Sequence, residues 1–461
     1  MSALPAHRPR LTPGAILRPL AYAGAAVALA LTGWLVAGLS DAALVPATAV
    51  LGLVGAAALG LTGLRTRTMT SPLVLLGVPL LLSLAAAMLP ITQIFGAWSP
   101  ARLAEVALIA VAPVVGIGAA MLCAKGRTPR LQRGTEAAPH AQRLVVICAL
   151  MCAAGTGVYL VEWSSIGGPP LLSGNIDEAR FSLVSLGPLH VLTEGVTLAL
   201  LIATWARVGR AAYFTAMQRR TLEAIMCFVP LVLVMGGGRS LVLMPILTSL
   251  IVAARYVTPR AARRMVIVIP IAIVLFSSVV FLARVGQNSP TGAVGSVLYN
   301  ETGTRSSPLQ SAFRSLSINL GEQLRVVAEL RDADVRTPAF TSSMWFAHNF
   351  LPRAIDPQTV AGQNAGGWLT STYAGGLLLD FGLAAALLFG LALGAAAHML
   401  YRRFARGDSV AIIWIYAYLA GPIALAFYLN VFLYFIFPIL DVIGLLILSR
   451  MLIQRSPRAA A

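Results

Sequence analysis

Between Leu144 and Val161 the chain reads LVVICALMCAAGTGVYLV, an apolar run without a charged residue or a proline. A bilayer core takes about 20 consecutive apolar residues in a helix, so a run of this kind is read as a membrane span. Lys125, Arg127, Arg130, Arg133 and Arg143 precede it, and a polar connection follows it from Glu162. Working outward shows the same pattern on both sides.

The candidate spans are Leu20–Leu39, Ala42–Leu64, Leu73–Ile91, Leu103–Leu122, Leu144–Val161, Val191–Ala206, Leu222–Met235, Leu241–Val257, Met265–Leu282, Tyr373–Leu400, Val410–Leu429 and Val431–Leu452, twelve in all. The first follows Arg8, Arg10 and Arg18, but its apolar run is too long for a signal peptide and more spans follow, so it is expected to be retained. Across 461 residues, 58% are hydrophobic and only 11% charged, with a mean hydropathy of +0.82. That balance excludes a soluble globular enzyme, a disordered chain and a disulfide scaffold. The expected fold is all-α: a polytopic membrane helix bundle of about twelve transmembrane helices, forming one integral membrane domain over 1–461.

The chain holds 34 Lys+Arg against 17 Asp+Glu, a formal charge of +17. With both termini placed in the cytoplasm, most of these cations fall on inside connections, including Arg65, Arg67, Arg207, Arg210, Arg219, Arg220, Arg260, Arg263, Arg264, Arg402, Arg403 and Arg406. Every inside connection is then basic, as the positive-inside rule requires. The net charge is a topology signal, and a nucleic-acid partner is not expected.

Two outside connections are long, the third over 162–190 and the fifth over 283–372. Loops beyond about 15 residues are usually functional or disordered. In the fifth, Leu309, Phe313, Leu316, Leu320, Leu324, Val327 and Leu330 recur at steps of three and four, with Arg314, Glu322, Arg325 and Glu329 on the other faces. This predicts an amphipathic helix lying on the outer membrane surface or capping the bundle.

Cys123, Cys148, Cys152 and Cys227 all lie in or beside spans, and no Cys/His cluster has metal-ligand spacing. A nucleophile elbow, a phosphate loop and a HExxH motif are also absent. Neither a metal nor another cofactor is expected. The remaining signal is arginine on the outside. Arg239 follows Gly236, Gly237 and Gly238 in a tight hairpin, where its fork of donors suits a pair of phosphate oxygens; the competing reading is a lipid-headgroup anchor. Arg180 follows Asp177 and Glu178 in the third loop, and it serves either an anion or an ion pair with Asp177. Arg284 opens the fifth loop, which goes on to Trp345, His348, Arg353 and Asp356 before the span carrying Asp380. Aromatics beside carboxylates and a histidine can stack on and hydrogen-bond sugars. Asp332 and Asp334 form a DxD pair, set aside because nucleotide sugars are not expected outside. Asp441, in the last span, reads as a proton path or a polar contact between helices.

Four stretches in order, Gly167-Gly-Pro-Pro-Leu-Leu with Arg180, Gly-Gly-Arg239-Ser, Leu351-Pro-Arg353, and Ser371-Thr-Tyr-Ala-Gly-Gly with Asp380-Phe-Gly, resemble the Wzy-type O-antigen and oligosaccharide repeat unit polymerases of bacterial inner membranes. The family spacing, with ten residues between an arginine and a glycine, is met by Arg284 and Gly295, whereas Arg180 has Val191 at that place. The resemblance implies two large periplasmic loops and an undecaprenyl-pyrophosphate-linked glycan as substrate, with membrane lipid around it and a flippase and chain-length regulator proteins as candidate partners. It implies a metal-independent glycosyltransferase for O-antigen, capsule or exopolysaccharide synthesis. Arg180, Arg239, Arg284, Arg353 and Asp380 are then the substrate-binding candidates. The acceptor hydroxyl also needs a base, and His348, His190, Asp177, Glu178 and Asp356 are the candidates. His348 is preferred, because an imidazole titrates near operating pH. A ligase moving glycan to another acceptor shares every one of these features. A transporter is the other rival, and it calls for broken helices and ionisable groups near the bilayer middle.

Overall fold

The computed structural model describes residues 50, 52–61, 63, 68–88, 100–123, 138–173, 179, 187–237, 239–256, 375–425 and 436–454. These residues form an all-α assembly in which no strand occurs, apart from an isolated bridge between Pro139 and Ile453. In chain order the helices are α1 (Gly52–Leu61), α2 (Pro72–Met88), α3 (Pro100–Cys123), α4 (Ala141–Ser164), α5 (Glu194–Thr204), α6 (Ala216–Met235), α7 (Arg239–Tyr256), α8 (Gly375–Arg406), α9 (Val410–Ala424) and α10 (Ile436–Leu452). Among the described residues three stretches, Ala141–Ser164, Leu189–Gly209 and Phe381–Arg406, are long and apolar enough to cross a membrane. The expected spans Leu20–Leu39 and Met265–Leu282, and the amphipathic helix of the fifth loop, lie outside the described residues.

α5 is the centre of the assembly. Val196, Leu198 to Ala203, Trp205 and Ala206 are all buried, as befits a helix that is apolar on every side. It is covered by α4, α6, α7, α9 and α10. α4 and α10 instead turn Leu150, Leu160, Ile443 and Ile447 outward, which a bilayer satisfies and water does not. α3 and α8 cross so closely that a Cβ on Gly116 would lie 2.1 Å from the Leu391 carbonyl oxygen, and one on Gly394 1.9 Å from that of Pro113. Small residues permit such backbone approach where no hydrophobic force drives helices together in lipid.

The helix ends follow local chemistry. α4 closes on Gly167 (φ 81), whose N–H donates to the Ser164 carbonyl while that of Gly168 reaches Trp163, a Schellman ending that turns the chain into the Pro169-Pro170 stretch. The connection expected over 162–190 therefore begins later than the hydropathy sets it, because α4 carries Glu162 in its last turn. α6 opens on a capping box between Thr215 and Gln218, and α9 on the Ser409 side chain. α8 departs from the expected continuous span: Gly382 sits at φ 80, ψ −176, which only glycine tolerates, and breaks the helix two residues after Asp380.

Candidate functional site

Of the residues that the sequence proposes, Asp177, Glu178, Arg180, Arg284, His348 and Arg353 lie outside the described residues. Two more are placed by their backbone. Arg239 is the first residue of α7, and Asp380 is in α8 just before the break. The structure brings together a different set, from residues that the sequence treats singly or as boundaries.

The C-terminal end of α4 and the 3-10 turn Gly187–Thr193 meet beside the start of α5. There His190 Nδ1 lies 2.8 Å from Glu162 Oε1 and 3.0 Å from Oε2. The Glu162 side chain is 4% exposed and that of His190 40%, so the carboxylate is sunk in the bundle and the imidazole stands at its edge. A carboxylate at Nδ1 keeps the proton on that nitrogen. In the neutral ring Nε2 is then the acceptor, the tautomer that can remove a proton from a hydroxyl. Thr193 Oγ1 donates to the His190 carbonyl at 2.6 Å and fixes the turn that carries the ring. Tyr159 is stacked on Trp163 at 5.5 Å between centroids.

A second group lies deeper. Tyr418 of α9 donates its hydroxyl hydrogen to Asp441 Oδ2 of α10, and Glu194, the first residue of α5, is within electrostatic reach of Asp441. Asp441 is 4% exposed. Charged groups at such a depth need a partner, and the tyrosine supplies one. The sequence sets Asp441 near the middle of a span, and it lies within the helix over Ile436–Leu452. Among the described residues no set of three or more His, Cys, Asp or Glu is arranged to hold a metal ion.

Glu162 is the residue that sequence reasoning missed. Hydropathy closes a span at the first charge, so Glu162 reads as the beginning of a loop. The usable signal is its place three residues after Tyr159 on the same helical face, with a histidine at the far end of the same connection.

The site belongs to an α-helical protein with membrane-spanning character. Comparison with known protein families, with curated proteins and with solved structures finds nothing that matches this chain.

Proposed function

We propose that the chain polymerises undecaprenyl-pyrophosphate-linked oligosaccharide repeat units at the periplasmic face of the bacterial inner membrane, as its resemblance to the Wzy-type polymerases implies. The observation that carries this reading is the half-exposed His190 held by the buried Glu162 at the edge of an apolar bundle. The twelve spans, the two large periplasmic loops and the cytoplasmic termini are part of the same proposal.

In this reading Nε2 of His190 takes the proton of the acceptor sugar hydroxyl. The freed oxygen attacks the anomeric carbon of the donor, and the bond from that carbon to the pyrophosphate oxygen breaks. Undecaprenyl pyrophosphate leaves with its charge held by arginines, for which Arg180, Arg239, Arg284 and Arg353 are the candidates. Pyrophosphate is a good leaving group once neutralised, so the chemistry asks for a base and cations and no strong acid. Of the candidate bases, His190 has an orienting carboxylate among the described residues.

A deletion strain tests the assignment. A polymerase loss leaves single repeat units on the final acceptor, whereas loss of a ligase leaves the acceptor bare and long glycan on the lipid carrier. Arg239→Lys and Arg180→Lys should shorten the glycan at normal protein level, since an ammonium cannot reproduce a bidentate fork.

A transporter is the second reading, favoured by the α8 break at Gly382 beside Asp380 and by the half-buried Glu194 and the buried Asp441. Uptake of labelled lipid-linked units into vesicles, with no chain growth, would select it.

A further inference from the structure

Two helices turn apolar faces outward, and the faces differ in height. On α4 the outward residues include Val146, Leu150, Leu160 and Val161, with the exposed Arg143 before them and the exposed Ser164 after them. At about 1.5 Å per residue α4 rises about 32 Å from Arg143 to Ser164, which matches a hydrocarbon core of about 30 Å.

On α6 the outward residues are Ala224, Cys227, Phe228 and Leu231, which recur at the three- and four-residue steps of one helical side. The exposed Arg220 lies on the same side one turn earlier, and the helix stops at Gly236. From Arg220 to Gly236 the rise is about 24 Å. From Glu223, whose carboxylate is bound to Arg207 at 2.6 Å, it is about 20 Å.

Arg220 can lift its head toward the phosphates, but Arg143 can do the same on α4, so the contrast between the faces stands. Tilting a helix lowers its height along the membrane normal, and so does a kink of the kind that Pro230 permits inside α6. Neither can lengthen the short face. At the start of the two helices Gln218 Nε2 donates to Gln142 Oε1 at 3.0 Å, and the capping box of Thr215 and Gln218 fixes that turn of α6. The N-terminal ends therefore lie near one level, and the shortfall falls at the other end. There the 3-10 turn Pro170–Leu172, which follows α4, packs on α6. Irregular backbone of this kind is not left to hydrocarbon, so the polar layer has to reach down to it.

We propose, on the twelve-span topology given above and independently of the reaction, that the lipid bilayer is thinned in its outer leaflet where it meets α6. The occupant of this face is phospholipid, with headgroups drawn toward the end of α6, while the α4 face meets a bilayer of full thickness. A short span answers mismatch in this way at modest cost.

The test uses the full chain with the exposed Cys123 and Cys227 replaced by alanine, reconstituted in phosphatidylcholine bilayers. A spin label is placed at Phe228→Cys, midway along the α6 face, or at Ala154→Cys, midway along α4, and its depth is read from collisions with oxygen and with a water-soluble nickel complex. The α6 label should lie about 4 Å nearer to the phosphates, half the difference between the two rises. Equal depths overturn the proposal. A Phe228→Cys label that oxygen cannot reach places protein on this face, a second copy included, and overturns it as well. Where Phe228→Cys fails to fold, the native Cys227 on the same face carries the label. Met235→Cys should react with an impermeant maleimide from outside intact cells. Reaction after permeabilisation alone shows that α6 does not cross, which overturns the topology together with the thinning, whereas equal depths overturn the thinning by itself.

Discussion

At its first residue α5 presents Glu194 toward Asp441, one turn from the His190–Glu162 pair, whereas beyond its last turn it presents Trp205 and Arg210 to an aromatic stack. Both ends are polar places in an apolar assembly, yet they are built differently. The end that the proposed topology turns outward grades from a buried carboxylate to an imidazole at the edge, so that in the proposed reaction a group from outside could reach a base oriented from within. The other end lays Arg210 and Arg255 on ring faces. The middle of the helix, Leu198 to Ala203, is buried and ties the two ends together.

The largest expected effect is on the outer end. His190→Gln should lower the rate of chain growth by about 10²- to 10⁴-fold, the usual contribution of a general base, with the melting temperature nearly unchanged. Glu162→Gln should cost less, since an amide oxygen still accepts from Nδ1. A reversed order would mean that the pair is a structural tie, and the contrast between the ends would lose its chemical half.

Leu201→Ala tests the middle. Truncating this fully buried side chain should destabilise the protein by about 2–5 kcal/mol, as seen for large-to-small core changes, while the rate per folded molecule stays close to wild type. Equilibrium unfolding in mixed micelles beside a rate normalised to folded protein checks both halves.

Two glycines of α4 sharpen the comparison at one place. A Cβ on Gly155 would fall 2.5 Å from Val196 Cγ2 and 2.7 Å from the Leu192 carbonyl oxygen, whereas one on Gly157 meets nothing within 4 Å. Gly155→Ala should therefore push the turn that carries His190 away from α4 and lower both stability and rate. Gly157→Ala should be neutral or stabilise by about 0.5–1 kcal/mol through helix propensity. The same response from both would show that α4 does not hold the turn as described.

The smallest effect is none. Chain growth should persist in excess EDTA and in the Asp332→Ala, Asp334→Ala double variant, because arginines supply the charge neutralisation. Inactivation by chelator, reversed by a divalent ion, would promote the DxD pair.

How much of this was legible in the sequence depends on what each residue's role rests upon. The apolar runs are visible from composition, and α4, α6, α7 and α8 fall where those runs predict. The turn at Gly167-Gly168 is visible as well, since Gly-Gly-Pro-Pro leaves the backbone few alternatives. Gly382 was not legible. It stands in an apolar run just as Gly116 and Gly394 do, and yet it breaks its helix while they mark a close crossing; the difference lies in the neighbouring helix, which one run does not contain. Glu162 with His190, and Glu194 with Asp441, were hidden for the same reason. Their partners are 28 residues away in the first case and on another helix in the second, and no local period connects them.

The most direct test is chain growth by the purified protein from a lipid-pyrophosphate-linked repeat unit, with wild type and His190→Gln side by side. The account predicts a ladder of glycan lengths from the wild type and little beyond the single unit from the variant at equal folded protein. A ladder of the same rate and length from His190→Gln, or no ladder from well-folded wild type, would contradict it.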